Sequence, residues 1–201
     1  MKRLLTILAI ASTTTACATH KLDPPAGFAQ VDHSEYATTM IAPDHVGLNV
    51  RVWSNVKGGS LGFWSEDMVN KLGERGYALT RQSAVKSKNG VAGTRFDFDY
   101  TAPDGVEKFY SAVLFASDKY RVVLQVAGNA ELGARYLAQL DGIAGETKIR
   151  GCKLVNSLCK SAQPRPLKIA PAAAPEAPEA APKAPENAPE GNTAPPAATD
   201  A

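Results

Sequence analysis

The stretch "EKFYSAVLFASDKYRVVLQVA", residues 107–127, leaves a chain few ways to fold. Two runs rich in Val, Phe, Tyr and Leu are joined by only Ser117, Asp118 and Lys119. Residues of this type favour strands. Strands joined by so short a turn pair antiparallel. The same logic extends upstream. Tyr77 to Ser87 and Gly93 to Thr101 flank Lys88-Asn89-Gly90-Val91, and Asn-Gly between two strand-like runs is a hairpin signal. Pro103-Asp104-Gly105 turns the chain into the next run. Residues 77–127 therefore read as a four-strand antiparallel meander.

The part before the meander adds a hairpin and a helix. Phe28 to Val31 reads as a short edge strand and Tyr36 to Ala42 as a second strand, closed by the turn Pro43-Asp44-His45. Val46, Leu48, Val50 and Val52 then alternate with Gly47, Asn49, Arg51 and Trp53, the period of a half-buried strand. After Gly58-Gly59, Ser60 is a suitable N-cap. Leu61, Trp64, Met68 and Leu72 share one helical face, predicting a helix over about 61–75 that stops at Gly76. Glu66 and Asp67 lie early in it and Lys71 and Arg75 late, as the helix dipole favours. After the meander, Asn129 is predicted to cap a second helix that turns Leu132, Tyr136, Leu137, Leu140 and Ile143 inward. Ile149 to Cys152 is expected to add a last short strand. The expected class is α+β: an antiparallel sheet of about six to seven strands, its apolar face or faces covered by two main helices in an α/β sandwich.

Both ends of the chain differ from this core. Met1-Lys2-Arg3 precedes eight mostly apolar residues, Leu4 to Ala11. A membrane-spanning helix needs about 20, so residues 1–16 read as a signal peptide. Small residues then lead into Cys17, which resembles the bacterial lipobox; Thr14 stands where that motif usually has an aliphatic residue. The resemblance implies that Cys17 is acylated and becomes the N-terminus, with residues 17–26 as a tether. Ala18 in place of Asp points to the outer membrane. Ala16-Cys17-Ala18 is also a site for ordinary signal peptidase, and cleavage there would release a soluble periplasmic protein. At the other end, the 41 residues 161–201 hold ten Pro and fourteen Ala, with no aromatic residue. Such a segment buries too little to offset its ordering entropy. It is expected to be a disordered, extended tail, which leaves residues 27–160 as one globular domain. Its role is read as a spacer, a docking strand or a solubilising tail.

The remaining thiols, Cys152 and Cys159, fit an oxidising compartment and are expected to pair. The small loop makes the gain in stability modest. The net charge of +2 gives no electrostatic footprint for nucleic acid.

The order hairpin, helix, meander, helix resembles the PsbP-like fold. That fold is shared by the PsbP extrinsic subunit of photosystem II, the Ran-binding Mog proteins and DcrB-type bacterial lipoproteins. The segments that carry the likeness are "SLGFWSEDMVNKL" (60–72), "GTRFDFDY" (93–100) and "FYSAVLFASDKYRVVLQVAGN" (109–129), with the helix up to Ile143. The resemblance implies an α/β sandwich with accessory or binding roles and carries over no catalytic residues.

The residues themselves offer little chemistry. His20 falls in the tether, and His33 and His45 fall in or beside loops, where solvated side chains are expected. Asp97 and Asp99 share one face of a strand; paired carboxylates can do acid–base work, but a solvated polar face with Arg95 as neighbour is the expectation. Arg81, Lys86, Lys88 and Arg95 make the hairpin around Asn89 basic, a surface that could meet anionic lipid but is expected to be merely solvated. Trp53, Phe63 and Trp64 form a candidate partner surface. For Trp53, burial under a helix is the favoured alternative. No metal site and no cofactor is expected. The expected function is a non-catalytic envelope lipoprotein, a binding or accessory module with an envelope protein partner and the membrane as its anchor. The alternatives are a periplasmic carrier of a small ligand or lipid and, below it, a hydrolase using Asp97, Asp99 or a histidine.

Overall fold

A computed structural model describes residues 19–168. The elements run in the order β1 (His20–Lys21), β2 (Ala29–His33), β3 (Ala37–Ile41), β4 (Gly47–Ser54), α1 (Leu61–Gly73), β5 (Ala78–Lys86), β6 (Ala92–Thr101), β7 (Glu107–Ala116), β8 (Tyr120–Asn129), α2 (Gly133–Glu146) and β9 (Lys148–Ile149). Seven strands form one antiparallel sheet in the order β2-β3-β4-β8-β7-β6-β5, and β1 pairs with β9 in a separate ribbon. The meander, the upstream hairpin and the first edge strand are as the sequence predicts. So are the two helices, whereas the last short strand, expected over Ile149–Cys152, is Lys148–Ile149 and pairs with β1 instead of joining the main sheet.

The helices lie on opposite faces of the sheet. Phe109, Val113 and Phe115 of β7 join Val122, Leu124 and Val126 of β8 and Leu48, Val50 and Val52 of β4 under Tyr136, Leu140 and Ile143 of α2. The alternate residues Ala112, Leu114 and Ala116 pack with Leu61, Trp64 and Met68 of α1. Covering both faces explains why Ser111 to Ala116 is buried without a break, as in the doubly covered strands of layered folds.

Local chemistry sets the ends of α1. The Ser60 hydroxyl accepts from the Phe63 N–H at 3.2 Å. Gly76 adopts φ +85°, and the Tyr77 N–H reaches back to the Leu72 carbonyl, a glycine-terminated Schellman turn. Neither Glu66 nor Asp67 lies in the first turn, so they do little for the helix dipole. Asn129 does not cap α2. It precedes a 3-10 turn, Ala130–Leu132, makes no side-chain cap bond and accepts instead from Lys108 Nζ.

Two expected boundaries shift outward. The tether expected over 17–26 is part of the fold from Thr19 onward. His20 pairs across to Ile149, and Leu22 and Phe28 enter the α2-face core, because each finds an apolar or hydrogen-bonding partner there. The tail expected from residue 161 is docked as far as Lys168. Gln163 bonds Gly93 and Thr94, Gln82 bonds the backbone at Pro164, Arg165 and Leu167, and Leu167 packs with Phe96 and Phe98. Cys17 and residues 169–201, with the signal peptide and most of the tail, lie outside the described residues.

Candidate functional site: a cleft beside the first helix

α1 covers β5, β6 and β7 and reaches Arg121 and Val123 of β8 through Trp64, but leaves Trp53 of β4 exposed. Beside it a cleft of about 480 Å3 opens, lined by Trp53, Trp64, Asp67, Met68, Lys71, Leu72, Arg75, Tyr110, Leu114, Arg121, Val123 and Gln125. The β4–β8 register sets Trp53 directly opposite Arg121. The Arg121 guanidinium lies 3.8 Å from the Trp64 ring centroid and 5.9 Å from that of Trp53. This is a cation–π arrangement, worth about 0.5–2 kcal/mol.

The walls are held by named contacts. Trp64 Nε1 donates to Asn55 Oδ1 at 3.0 Å. Asn55 is buried and also bonds Gly59 and the Ser117 carbonyl. Gly59 lets the indole lie against the backbone, since a Cβ there would stand 2.5 Å from Trp64 Nε1. Burial pushes the Tyr110 phenol up, so it stays a neutral wall. The cleft is cationic: Lys71 is paired with Asp67 at 2.8 Å, while Arg75 and Arg121 join no ion pair among the described residues. The Arg121 Nε is buried without a hydrogen-bond partner.

Two of the three aromatic candidates, Trp53 and Trp64, line this cleft. Trp53 is 44% exposed, which corrects the expectation that a helix buries it: α1 lies over β5–β7, too far across the sheet. Trp64 lines the cleft, whereas Phe63 does not; its ring lies 4.8 Å from that of Trp64, in a neighbouring groove with Val56 and Lys57. Arg121 and Asn55 were not legible as site residues. Only the long-range pairing of β4 with β8 brings Arg121 to Trp53, and no local pattern announces it.

The carboxylate reading changes most. Arg95 and Asp97 do not face solvent; they are 2% and 5% exposed. Arg95 Nε and Nη2 donate to the two Asp97 oxygens at 2.7 and 2.9 Å, and Nη1 donates to Asp141 of α2 at 3.0 Å. The Ser111 hydroxyl also donates to Asp97. Burial opposes the Arg95 charge, but the bonds to Asp97 and Asp141 outweigh it and raise its pKa. α2 covers this face, so the polar residues of the alternation form a closed internal network. Asp97 and Asp99 do not form an open pair: Asp97 is bound on both oxygens, whereas Asp99 is exposed. The basic hairpin is likewise reduced, because Arg95 is internal and Lys88 pairs with Glu146 at 2.7 Å.

The histidines divide. His20 is 1% exposed, contrary to the expected solvated tether residue, because Leu22 and β9 draw its segment into the fold. Its Nε2 lies 2.9 Å from Thr38 Oγ1, whose other neighbour is His33 Nδ1 at 2.8 Å. Burial, with the nearby His33, lowers the His20 pKa to about 4. His33 and His45 are exposed. Among the described residues no group of three or more His, Cys, Asp or Glu forms a metal-ligand set. Cys152 and Cys159 are bonded, and Asp118 in the β7–β8 turn accepts from Lys153 N, Leu158 N and Ser157 Oγ of the loop they close.

No protein-family model matches the chain, and no curated protein matches it in sequence. Among solved structures it is similar to LpqN of Mycobacterium tuberculosis, involved in cell envelope biogenesis. The identity is 13%, the TM-score 0.50, and the match covers 65% of this chain and 82% of that one. Protein PA94 of Pseudomonas aeruginosa, of unknown function, matches at 10% identity and TM-score 0.45 over 61% and 81% of the two chains. The PsbP protein CyanoP of Synechocystis sp. PCC 6803 matches at 12% and 0.45 over 71% and 99%. The likeness to LpqN is one of fold. The layering implied by the PsbP-like resemblance, an antiparallel sheet with two packed helices, is that of the structure.

Proposed function

We propose that this protein is a lipid-anchored, non-catalytic binding module of the cell envelope, and that the cleft beside α1 is its binding surface. The observation that carries the reading is Arg121. It is stacked on Trp64 of α1, has no acidic partner among the described residues, and lines the cleft at the edge of that helix. A cation on an aromatic wall suits a partner group that is anionic and borne on an apolar stem. The fold shared with LpqN, involved in cell envelope biogenesis, supports the envelope assignment. The leader and Cys17 support the anchor, with the outer membrane as its site and residues 169–201 as a spacer or docking tail. The engagement of both Asp97 oxygens by Arg95 removes the motive for a carboxylate hydrolase.

The test is affinity capture of the mature full chain from its native envelope, beside Arg121→Ala, with mass spectrometry that includes the N-terminal peptide. An acylated Cys17 and one reproducible partner lost in Arg121→Ala is the expected result. An N-terminus at Thr19 with the same capture from both proteins would overturn it. The cleft volume favours a second reading, a carrier of a small anionic amphiphile, since sites for small molecules are of this size. Both tryptophans of the chain border the cleft. A blue shift of their emission on adding a fatty acid would support the carrier; no shift would remove it.

A further inference from the structure

We propose that the end of the sheet from which the N-terminus leaves rests on an anionic phospholipid leaflet, with the loops 55–59 and 152–158 as its contact surface. The inference rests on the reading of Cys17 as acylated. Thr19 is already fixed: its carbonyl accepts from the Arg150 N–H, and its hydroxyl donates to the Glu35 carbonyl. Two residues of extended chain span at most about 7 Å. An acylated Cys17 therefore holds this end of the domain against the bilayer, with no slack for another orientation.

The surface found there suits that position. Val56 is 88% exposed and Phe63 57%, and Leu154 and Val155 stand free in the disulfide loop. The two loops are neighbours. Asp118 holds the disulfide loop on the β7–β8 turn, Lys119 O accepts from Asn55 N, and Gly58 lies beside Leu158. Lys57, Lys119, Arg150, Lys153 and Lys160 are exposed around them, with Lys21, Lys88 and Lys148 at the same end, against the exposed acids Asp23, Asp32, Glu35, Glu66 and Glu146, of which Asp23 and Glu146 are paired with Lys21 and Lys88. Apolar side chains ringed by lysines are the pattern of an interfacial membrane contact. The opposite end presents Asp99, Asp104, Glu107 and Glu131. Lys168, the last described residue, lines a pocket with Glu74 and Tyr77 at that far end, one ten-residue strand or about 30 Å away. The chain beyond it therefore starts on the side remote from the bilayer.

The test is amide hydrogen exchange on the acylated full chain in vesicles of phosphatidylethanolamine and phosphatidylglycerol, compared with detergent micelles. Exchange over 54–63 and 152–158 is expected to slow about fivefold or more in vesicles. The effect should shrink in purely zwitterionic phosphatidylcholine and in acylated Val56→Asp and Leu154→Asp, whose exposed positions leave the fold intact. An acylated chain with unchanged exchange over both segments overturns this orientation and leaves the anchor standing. A chain whose mass shows no acyl group overturns the anchor, and the orientation with it.

Discussion

Two arginines on opposite faces of one sheet show how differently the same side chain can be used. Arg95, on the α2 face, is sealed in and satisfied by Asp97 and Asp141. Arg121, on the α1 face, is stacked on Trp64 and has no carboxylate partner among the described residues. The faces differ in what covers them. On the α2 face, α2 and the N-terminal segment with Leu22 and Phe28 together close the core over β3, β4 and β8. On the α1 face, α1 and residues 163–168 close β5 and β6, and among the described residues nothing comparable lies over Trp53 of β4. The closed face stores stability, and the open face carries the cleft proposed to bind.

The largest expected effect breaks the closed face. Arg95→Met should leave the Asp97 carboxylate buried without its partner and cost about 3–5 kcal/mol, read as a lowered urea midpoint. The double variant Arg95→Met with Asp97→Leu should recover most of that loss, because no uncompensated charge remains. Recovery failing in the double variant would show that the network acts through shape and not through charge.

Next comes the N-terminal strap of the same face. Buried His20 has its pKa lowered from 6.5 to about 4, so the unfolded chain binds the proton more readily. The stability from neutral His20 is fully present above about pH 6.5 and is lost as pH falls through about 4. The loss is on the order of 3 kcal/mol. His20→Gln should flatten that part of the stability–pH curve, measured by denaturation between pH 7 and pH 4.

A smaller effect sharpens the open face. Gly59→Ala would place a Cβ against the Trp64 indole and displace it from Asn55 and Arg121. It should cost about 1–3 kcal/mol and change tryptophan emission and binding together. The smallest stability effect is expected for Arg121→Ala, about 0.5–2 kcal/mol, since only a cation–π contact is lost. Binding should nevertheless fall. Equal losses for Arg95→Met and Arg121→Ala would erase the contrast between the two faces.

The legible part of this molecule is its local periodicity. The alternation over 46–53, the stripe Leu61-Trp64-Met68-Leu72 and the tight turns at 117–119 and 103–105 specify elements within themselves, and each is where the sequence puts it. What stayed hidden depends on partners distant in sequence. The alternation Arg95-Phe96-Asp97-Phe98 looks the same whether the polar side meets water or a second layer, and here α2 supplies Asp141 from 46 residues away. His20 and residues 161–168 look like parts of a tether and a tail by composition. Their anchors, Thr38, Ile149 and Gln82, lie 18 or more positions off. Arg121 became a site residue only through its pairing with Trp53.

The most direct test places a photo-crosslinking amino acid at Trp53, on the rim of the open cleft, and at Gln139, on the outer surface of α2, in cells making the full chain. A discrete adduct from position 53 that disappears when Arg121→Ala is added, and none from position 139, is the expected result. Adducts of equal yield from both positions, unchanged by Arg121→Ala, would contradict it.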